Sequence, residues 1–381
     1  GRIISATHVA FGSTRVMATC GAGGQAVGTA AALCKKHGCD PRELSSGDKL
    51  TELQSALHQQ GQFLPHTPDR DSEDLAKSAE ITASSELSLD QLAPCDQWRP
   101  LDVSAAMLLP LQQGSCPQFT LKVQAGQATT LEVSLVRSQK DGNFTPEETI
   151  TSSHYELPAG QSELSMNLET ELDRAGYYFL TFSENPDVSL RLSEQRLTGV
   201  LATFASFNKA VATTNKQSPP ENIGVEPFEF WLPERRPKGQ NLALQIEPPL
   251  VCFSSENISN GPARPTTQPN AWVSDPQDQQ PSLSLTWEQA VTISRITLEL
   301  DPDWDHPMES VLMTHPEEVS PFMVKDLDLC DASGSTLAEI RGNHSAHLSI
   351  ELPEPVSTHS LELKVLSTQG GPASLFRVRV H

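Results

Sequence analysis

No Cys-x-x-Cys pair occurs in this chain, and its seven cysteines (Cys20, Cys34, Cys39, Cys95, Cys116, Cys252 and Cys330) are odd in number and irregular in spacing. A zinc ribbon or an iron–sulfur cluster held by this chain alone is therefore excluded. Cys95 and Cys116 are candidates for a bridge; most of the seven read as buried free thiols. No run of eighteen apolar residues exists, so no helix is expected to span a membrane. Positive charge is scarce: 27 Lys and Arg stand against 48 Asp and Glu, a net charge of −21. A surface of that sign repels phosphates and anionic lipid, which argues against nucleic acid as a partner and otherwise favours solubility. The Gly-x-Ser-x-Gly, His-Glu-x-x-His and Walker signatures are missing, and no internal repeat is evident. Nor is there an initiator Met or a signal peptide: the chain opens in mid-element with Gly1-Arg2-Ile3-Ile4-Ser5, which raises the expectation of further chain upstream.

What is present is 381 residues, 37% hydrophobic and 20% charged, with 29 prolines. That suits two or three folded units, mainly β and rich in ordered loops. Only residues 1–66 read as helical. A helix is expected over 21–37, with Lys35, Lys36 and His37 in its last turn and Gly38 as its C-cap. A second is expected over 47–60, where Leu50, Leu53 and Leu57 recur at helical spacing. Residues 67–78, TPDRDSEDLAKS, are polar and read as a linker. From there the period drops to two. Segments 130–136, 177–182 and 188–193, with turn signals at 140–143, 158–161 and 184–187, predict an antiparallel sandwich over 79–213. A Pro-rich connection is expected over 214–250. Strands at 282–287, 293–300, 323–329, 347–352, 361–366 and 376–380 then predict a second sandwich over 251–381.

The strongest chemical signal is RVMATCGAGGQAVGTAAALC, residues 15–34. Gly21, Gly23 and Ala26 formally match the dinucleotide Gly-x-Gly-x-x-Ala turn, but a second helix follows where that fold needs a strand, so the match is rejected. A second reading is a helix N-terminus aimed at a cofactor. Thr19 is a suitable N-cap, and small residues would let the backbone N–H groups around Gly21 to Gln25 approach a ligand. Arg15 adds positive charge beside them. The competing reading is a small-residue helix that only packs.

ISATHVAFGSTRVMATCGAGGQAVGTAAALC resembles the closing segment of the FAD-binding domain in bacterial FAD-dependent oxidoreductases of the heterodisulfide-reductase-A-like group. The carriers are Ser5, His8, Gly12, Ser13, Arg15, Val16, Met17, Gly24, Gln25, Ala26 and Gly28. The resemblance implies a helix facing the flavin, with Ser13, Arg15, Gly21, Gly23, Gly24 and Gln25 at the cofactor and His8 as the side chain for proton transfer. The family's Gly-x-Gly-x-x-Gly strand–turn–helix is not in these residues, so most of the FAD site is expected in upstream sequence.

A second resemblance lies in ENISNGPARPTTQPNAWVSDP (256–276), LSLTWEQAVTISRITLELD (283–301) and SLFRVRVH (374–381). Together these are similar to a discoidin, or coagulation factor 5/8 type C, module. Such modules often bind glycans, which would make Trp272 and Trp304 candidate contacts; for Trp272 the core of the sandwich is the favoured place. The acidic DPDWDHPME (301–309) lacks the bidentate Glu and turn Gly of a Ca²⁺ loop and reads as a solvated loop. Cys20, near a helix N-terminus, reads as a redox candidate or as a small packed residue.

The expectation is thus a mainly β chain: a short helical remnant of an FAD-binding α/β domain, then two antiparallel β-sandwiches. It would be the C-terminal part of an FAD-dependent oxidoreductase acting on a small-molecule or glycan-related substrate. The alternative is a non-catalytic β-sandwich protein that binds glycan or protein. A bacterial, periplasmic or secreted setting is expected from the appended sandwiches alone.

Overall fold

The computed structural model describes residues 3–8, 10–138, 145–210, 212–224, 226–234, 240–303, 320 and 323–381. The turn expected at 140–143, Trp304 and most of the 301–309 loop lie outside the described residues.

The helical part begins with a single turn, α1 (Phe11–Thr14), followed by α2 (Met17–His37) and α3 (Gly47–Gln59). Gly38 closes α2 in the left-handed region at φ 61°, its N–H bonded to the Cys34 carbonyl, as its position after three basic residues predicts. The start of α2 differs from expectation. Val16, not Thr19, is the extended residue ahead of the helix, and the Cys20 N–H already bonds to the Val16 carbonyl at 3.0 Å. The helix is thus one turn longer at its N-terminal end, with Thr19 inside it and not at its cap.

The strands longer than two residues are β1 (Glu80–Ala83), β2 (Leu87–Leu92), β3 (Trp98–Leu101), β4 (Ala105–Leu111), β5 (Gln118–Ala125), β6 (Thr129–Arg137), β7 (Glu148–Leu157), β8 (Gly160–Met166), β9 (Gly176–Phe182), β10 (Asn185–Ser193), β11 (Leu201–Phe204) and β12 (Leu244–Phe253). After them come β13 (Ser282–Leu300), β14 (Val324–Asp331), β15 (Thr336–Ile340), β16 (His347–Thr368) and β17 (Ser374–Val380). A five-stranded antiparallel sheet, β11-β4-β9-β6-β7, faces a second sheet in which β10-β5-β12-β2 is joined by β3 and β8. Phe119, Met107, Leu109, Tyr178, Leu180, Phe182 and Phe253 fill the space between them. Alternating burial along β5 and β6 puts every second side chain inside, which is why period two is visible in their sequences.

The other β unit is discontinuous in sequence. Its sheet runs β17-β13-β16-β14-β15, and β1 adds to β13 with Ile81 opposite Leu285. The long strands β13 and β16 each join two expected strands, because register shifts near 286–295 bend them in place of a turn. The segment expected as a linker packs onto this unit: Leu75 and Ala76 join its core, and the Trp287 indole donates to the Leu75 carbonyl at 2.9 Å. The expected boundary at residue 250 falls inside β12, which pairs with β2 and β5 of the first sandwich. That sandwich is therefore an insertion between β1 and the rest of the second unit. All seven cysteines are free, Cys95 and Cys116 included. Burial pushes the Cys116 thiol up to about 11 and Cys252 to about 12, which makes both inert at neutral pH.

Candidate functional site

The glycine segment lies on α2, and its small residues leave one face bare. A Cβ built at Gly12, Gly21, Gly23, Gly24 or Gly28 would meet nothing within 4 Å. Of the 21 residues of α2 only Leu33 is buried, and Met17 (91% exposed) and Val27 (71%) stand in the open. At the helix start, Met17, Ala18 and Thr19 offer the N–H groups that have no intrahelical acceptor. The N–H groups of Gly21 to Gln25, expected to face a ligand, lie inside the helix, where the carbonyls four residues back take them up. The positive end of the helix is displaced one turn from its expected place.

Around that end, the Arg15 guanidinium stacks over the Phe11 ring at 4.6 Å. Ser13 Oγ donates to the Ala10 carbonyl at 3.2 Å, so it caps a local turn. His8 is exposed one turn ahead of α1. Cys20 is half-buried, its Sγ 3.8 Å from the Thr14 carbonyl. Gln25 turns the other way: its Nε2 lies 3.4 Å from both the carbonyl and Oε1 of Gln60, while Thr29 reaches the same Oε1 at 3.3 Å. Gln25 therefore holds α2 against the end of α3. The structure brings Ser13 and Arg15 to the start of α2 and separates Gln25 from them.

The discoidin-like residues act as scaffold. Trp272 is fully buried in the second core and its indole donates to the Ser85 carbonyl at 2.9 Å, so it offers no platform to a sugar. Asn257 donates to the Cys252 and Ala271 carbonyls at 3.0 and 2.9 Å, and Asn270, at φ 56°, to the Arg264 carbonyl at 2.9 Å. These amides fix the loop that closes the unit. Among the described residues no group of three or more His, Cys, Asp or Glu is placed to hold a metal ion.

One cluster escaped the sequence reading. Arg377 Nη2 lies 2.8 Å from Asp69 Oδ2 and 3.6 Å from Asp74 Oδ2. Arg379 reaches Asp69 and Glu299, both at 3.3 Å, and His347 Nδ1 meets Glu299 at 2.9 Å. His381 Nε2 lies 2.9 Å from Asp71, which also accepts from Gln59 of α3 at 2.7 Å. Both arginines and Asp74 are buried. His381 donating to Asp71, with help from Gln59, holds that carboxyl well below the usual range. Burial raises the Asp69 carboxyl, but Arg377 and Arg379 together with the Asp71 N–H outweigh it and hold it low. Burial pushes the His58 imidazole down. The signal was legible: Arg-x-Arg inside the apolar FRVRV puts two cations on one strand face, where they need anions. The supposed linker carries those anions.

Comparison with solved structures finds carbohydrate-binding modules of the same β class. The family 32 carbohydrate-binding module of Streptococcus pneumoniae EndoD is 20% identical, with 34% of this chain and 85% of that chain covered and a TM-score of 0.26. The family 32 module of Clostridium perfringens NanJ, in complex with galactose, is 15% identical over 29% of this chain and 74% of that one, TM-score 0.22. A chitosan-binding module of a Paenibacillus chitosanase/glucanase is 10% identical over 35% and 87%, TM-score 0.25. At these values the likeness identifies no binding residue here. Comparison with curated proteins finds no match. Residues 1–57, which hold the bare-faced α2 and nearly all of α3, match the family model described as FAD dependent oxidoreductase.

Proposed function

We propose that this chain supplies the flavin-facing end of an FAD-dependent oxidoreductase, with its β units carried alongside toward a carbohydrate-related substrate. The observation that carries the reading is the match of residues 1–57 to that family, and the geometry of α2 fits one side of such a group. Unfilled space over Gly21, Gly24 and Gly28, which share one helix face, leaves room for a flat ring against the helix. The N–H groups of Met17 to Thr19, with Arg15 beside them, set a positive potential for the electron-rich edge of that ring. FAD, when bound, supplies hydride transfer. Ser13 keeps the turn before the helix in shape, and His8, exposed nearby, is the side chain offered for proton exchange. The pyrophosphate grip would come from chain outside these 381 residues. The carbohydrate side of the reading rests on the discoidin-like residues of the second unit.

One observation favours the alternative of a non-catalytic glycan- or protein-binding protein: both large cores belong to the β units, and α2 contributes a single buried side chain. Visible absorption of the product of the whole gene separates the two. Stoichiometric flavin bands, lost in Gly24→Val without loss of fold, are expected. A colourless protein that gains no bands with added FAD would remove α2 from any flavin site.

A further inference from the structure

An open cleft of about 360 Å³ lies on the outer face of the first sandwich, and none of its lining residues belongs to α2 or to the discoidin-like loop. Its walls include Asp90, Gln91, Gln118, Thr120, Gln245 and Glu247. The cleft is built by strand register. Gln245 of β12 sits opposite Gln91 of β2 on one side and Thr120 of β5 on the other. The next residue of β12 that pairs with β2 is Leu250, opposite Leu89. β12 therefore spends five steps where β2 spends two, a surplus of three residues, so between Gln245 and Leu250 it parts from β2 while Ile246 and Glu247 stay paired with β5, and the sheet opens there. Ile246 is buried beneath.

The chemistry of the walls is narrow. Gln91, Gln118 and Gln245 are exposed and their amides hydrogen-bond to no described side chain or backbone group, whereas the hydroxyl of Thr120, also in the wall, pairs with Ser165 at 3.1 Å. Each free amide offers two donors and a carbonyl acceptor, the complement of hydroxyl groups that both donate and accept. Asp90 and Glu247 add acceptors and make the cleft negative, which repels phosphate, sulfate and uronate. The volume falls in the range of small-ligand sites. A peptide adding as a strand is excluded at this point, because β12 is flanked by β2 and β5 at Gln245 and leaves no free edge.

We propose that this cleft binds an uncharged sugar, one or two rings of a neutral polysaccharide, through the amides of Gln91, Gln118 and Gln245. The site is independent of the flavin reading, whose failure would leave it untouched. The test is affinity electrophoresis of the full chain in gels containing galactomannan, xylan or laminarin, with polygalacturonate as the anionic control. Retardation by at least one neutral polymer and not by polygalacturonate is expected. Gln91→Ala/Gln245→Ala should weaken it about tenfold or more with an unchanged unfolding midpoint, since both residues are exposed and unbonded. Gln118→Ala should weaken it less. Absence of retardation in every neutral polymer overturns the proposal. So does equal retardation of the double variant, which would place sugar contact elsewhere, or equal retardation by polygalacturonate.

Discussion

Helix α2 and strand β17 are both motif-bearing segments, and they are buried in opposite degree. One residue of 21 is buried in α2, and all seven are buried in β17. The apolar content of their sequences does not explain this, since β17 carries two arginines and α2 no acid at all. What differs is the partners. Arg377 and Arg379 are neutralised by Asp69, Asp74 and Glu299, so a strand carrying two charges can be buried along its whole length. The glycines and alanines of α2 offer little surface to bury, and nothing described covers that face. Small residues specify close approach by something else; they do not supply a core of their own.

The sharpest break of that comparison is in the buried half. Trp272→Ala should cost about 3–5 kcal/mol in urea unfolding of the second unit, the loss of a fully buried indole and its bond to Ser85. A cost under about 1 kcal/mol would show Trp272 to be peripheral. Asp74→Ala should cost about 3 kcal/mol or more. It removes one of the two carboxylates that face Arg377 and the shared acceptor of the Ala76 and Val380 N–H groups. Asp74→Asn, which can still accept both bonds, should recover part of the loss.

Acid should separate the two β units. His58 is held below an ordinary imidazole by burial, so in the unfolded chain it takes up a proton first, and stability begins to fall below about pH 6.5. Asp71 and Asp69 are held below ordinary carboxylates, so their stabilisation is complete above about pH 4 and is lost as pH falls through the folded values. The urea midpoint of the second unit should drop in both windows, and Asp71→Asn should flatten the lower one. A profile flat from pH 7 to pH 3 would remove the cluster as a stabilising element.

Effects in the bare half should be small and of either sign. Gly24→Ala meets open space in a helix and should stabilise α2 by up to about 1 kcal/mol, read by helical ellipticity against temperature. Destabilisation in the product of the whole gene would show that another part of the protein covers this face. Gln25→Ala should cost about 0.5 kcal/mol, through two long bonds to Gln60 at an exposed position.

Local rules carried much of the fold. Period two over 130–136 and 177–182, the Gly38 cap, and leucine spacing in α3 each depend on neighbours a few residues away, so each was legible in the sequence. The same holds for the family of residues 1–57, whose motif is contiguous. The start of α2 was misjudged by one turn: the helix already runs from Met17, with Thr19 inside it despite its preference for a cap. The candidate residues Ser13, Arg15 and the glycines were legible as a motif, but the contact of Gln25 with Gln60 was not, because its partner lies 35 residues away.

By itself the sequence determined which stretches are helix and strand, which cysteines lack metal-binding spacing, and that the surface is acidic. Only the tertiary structure decided that the polar stretch before β1 is the buried counter-charge of β17, that β12 belongs to the sandwich before it, and that Trp272 is core. Each of those rests on residues separated by more than 150 positions, where pairing is set by which charges and faces remain unsatisfied after local structure forms. Local spacing carries no record of that choice, because the free energy that fixes it exists only once both partners are folded together.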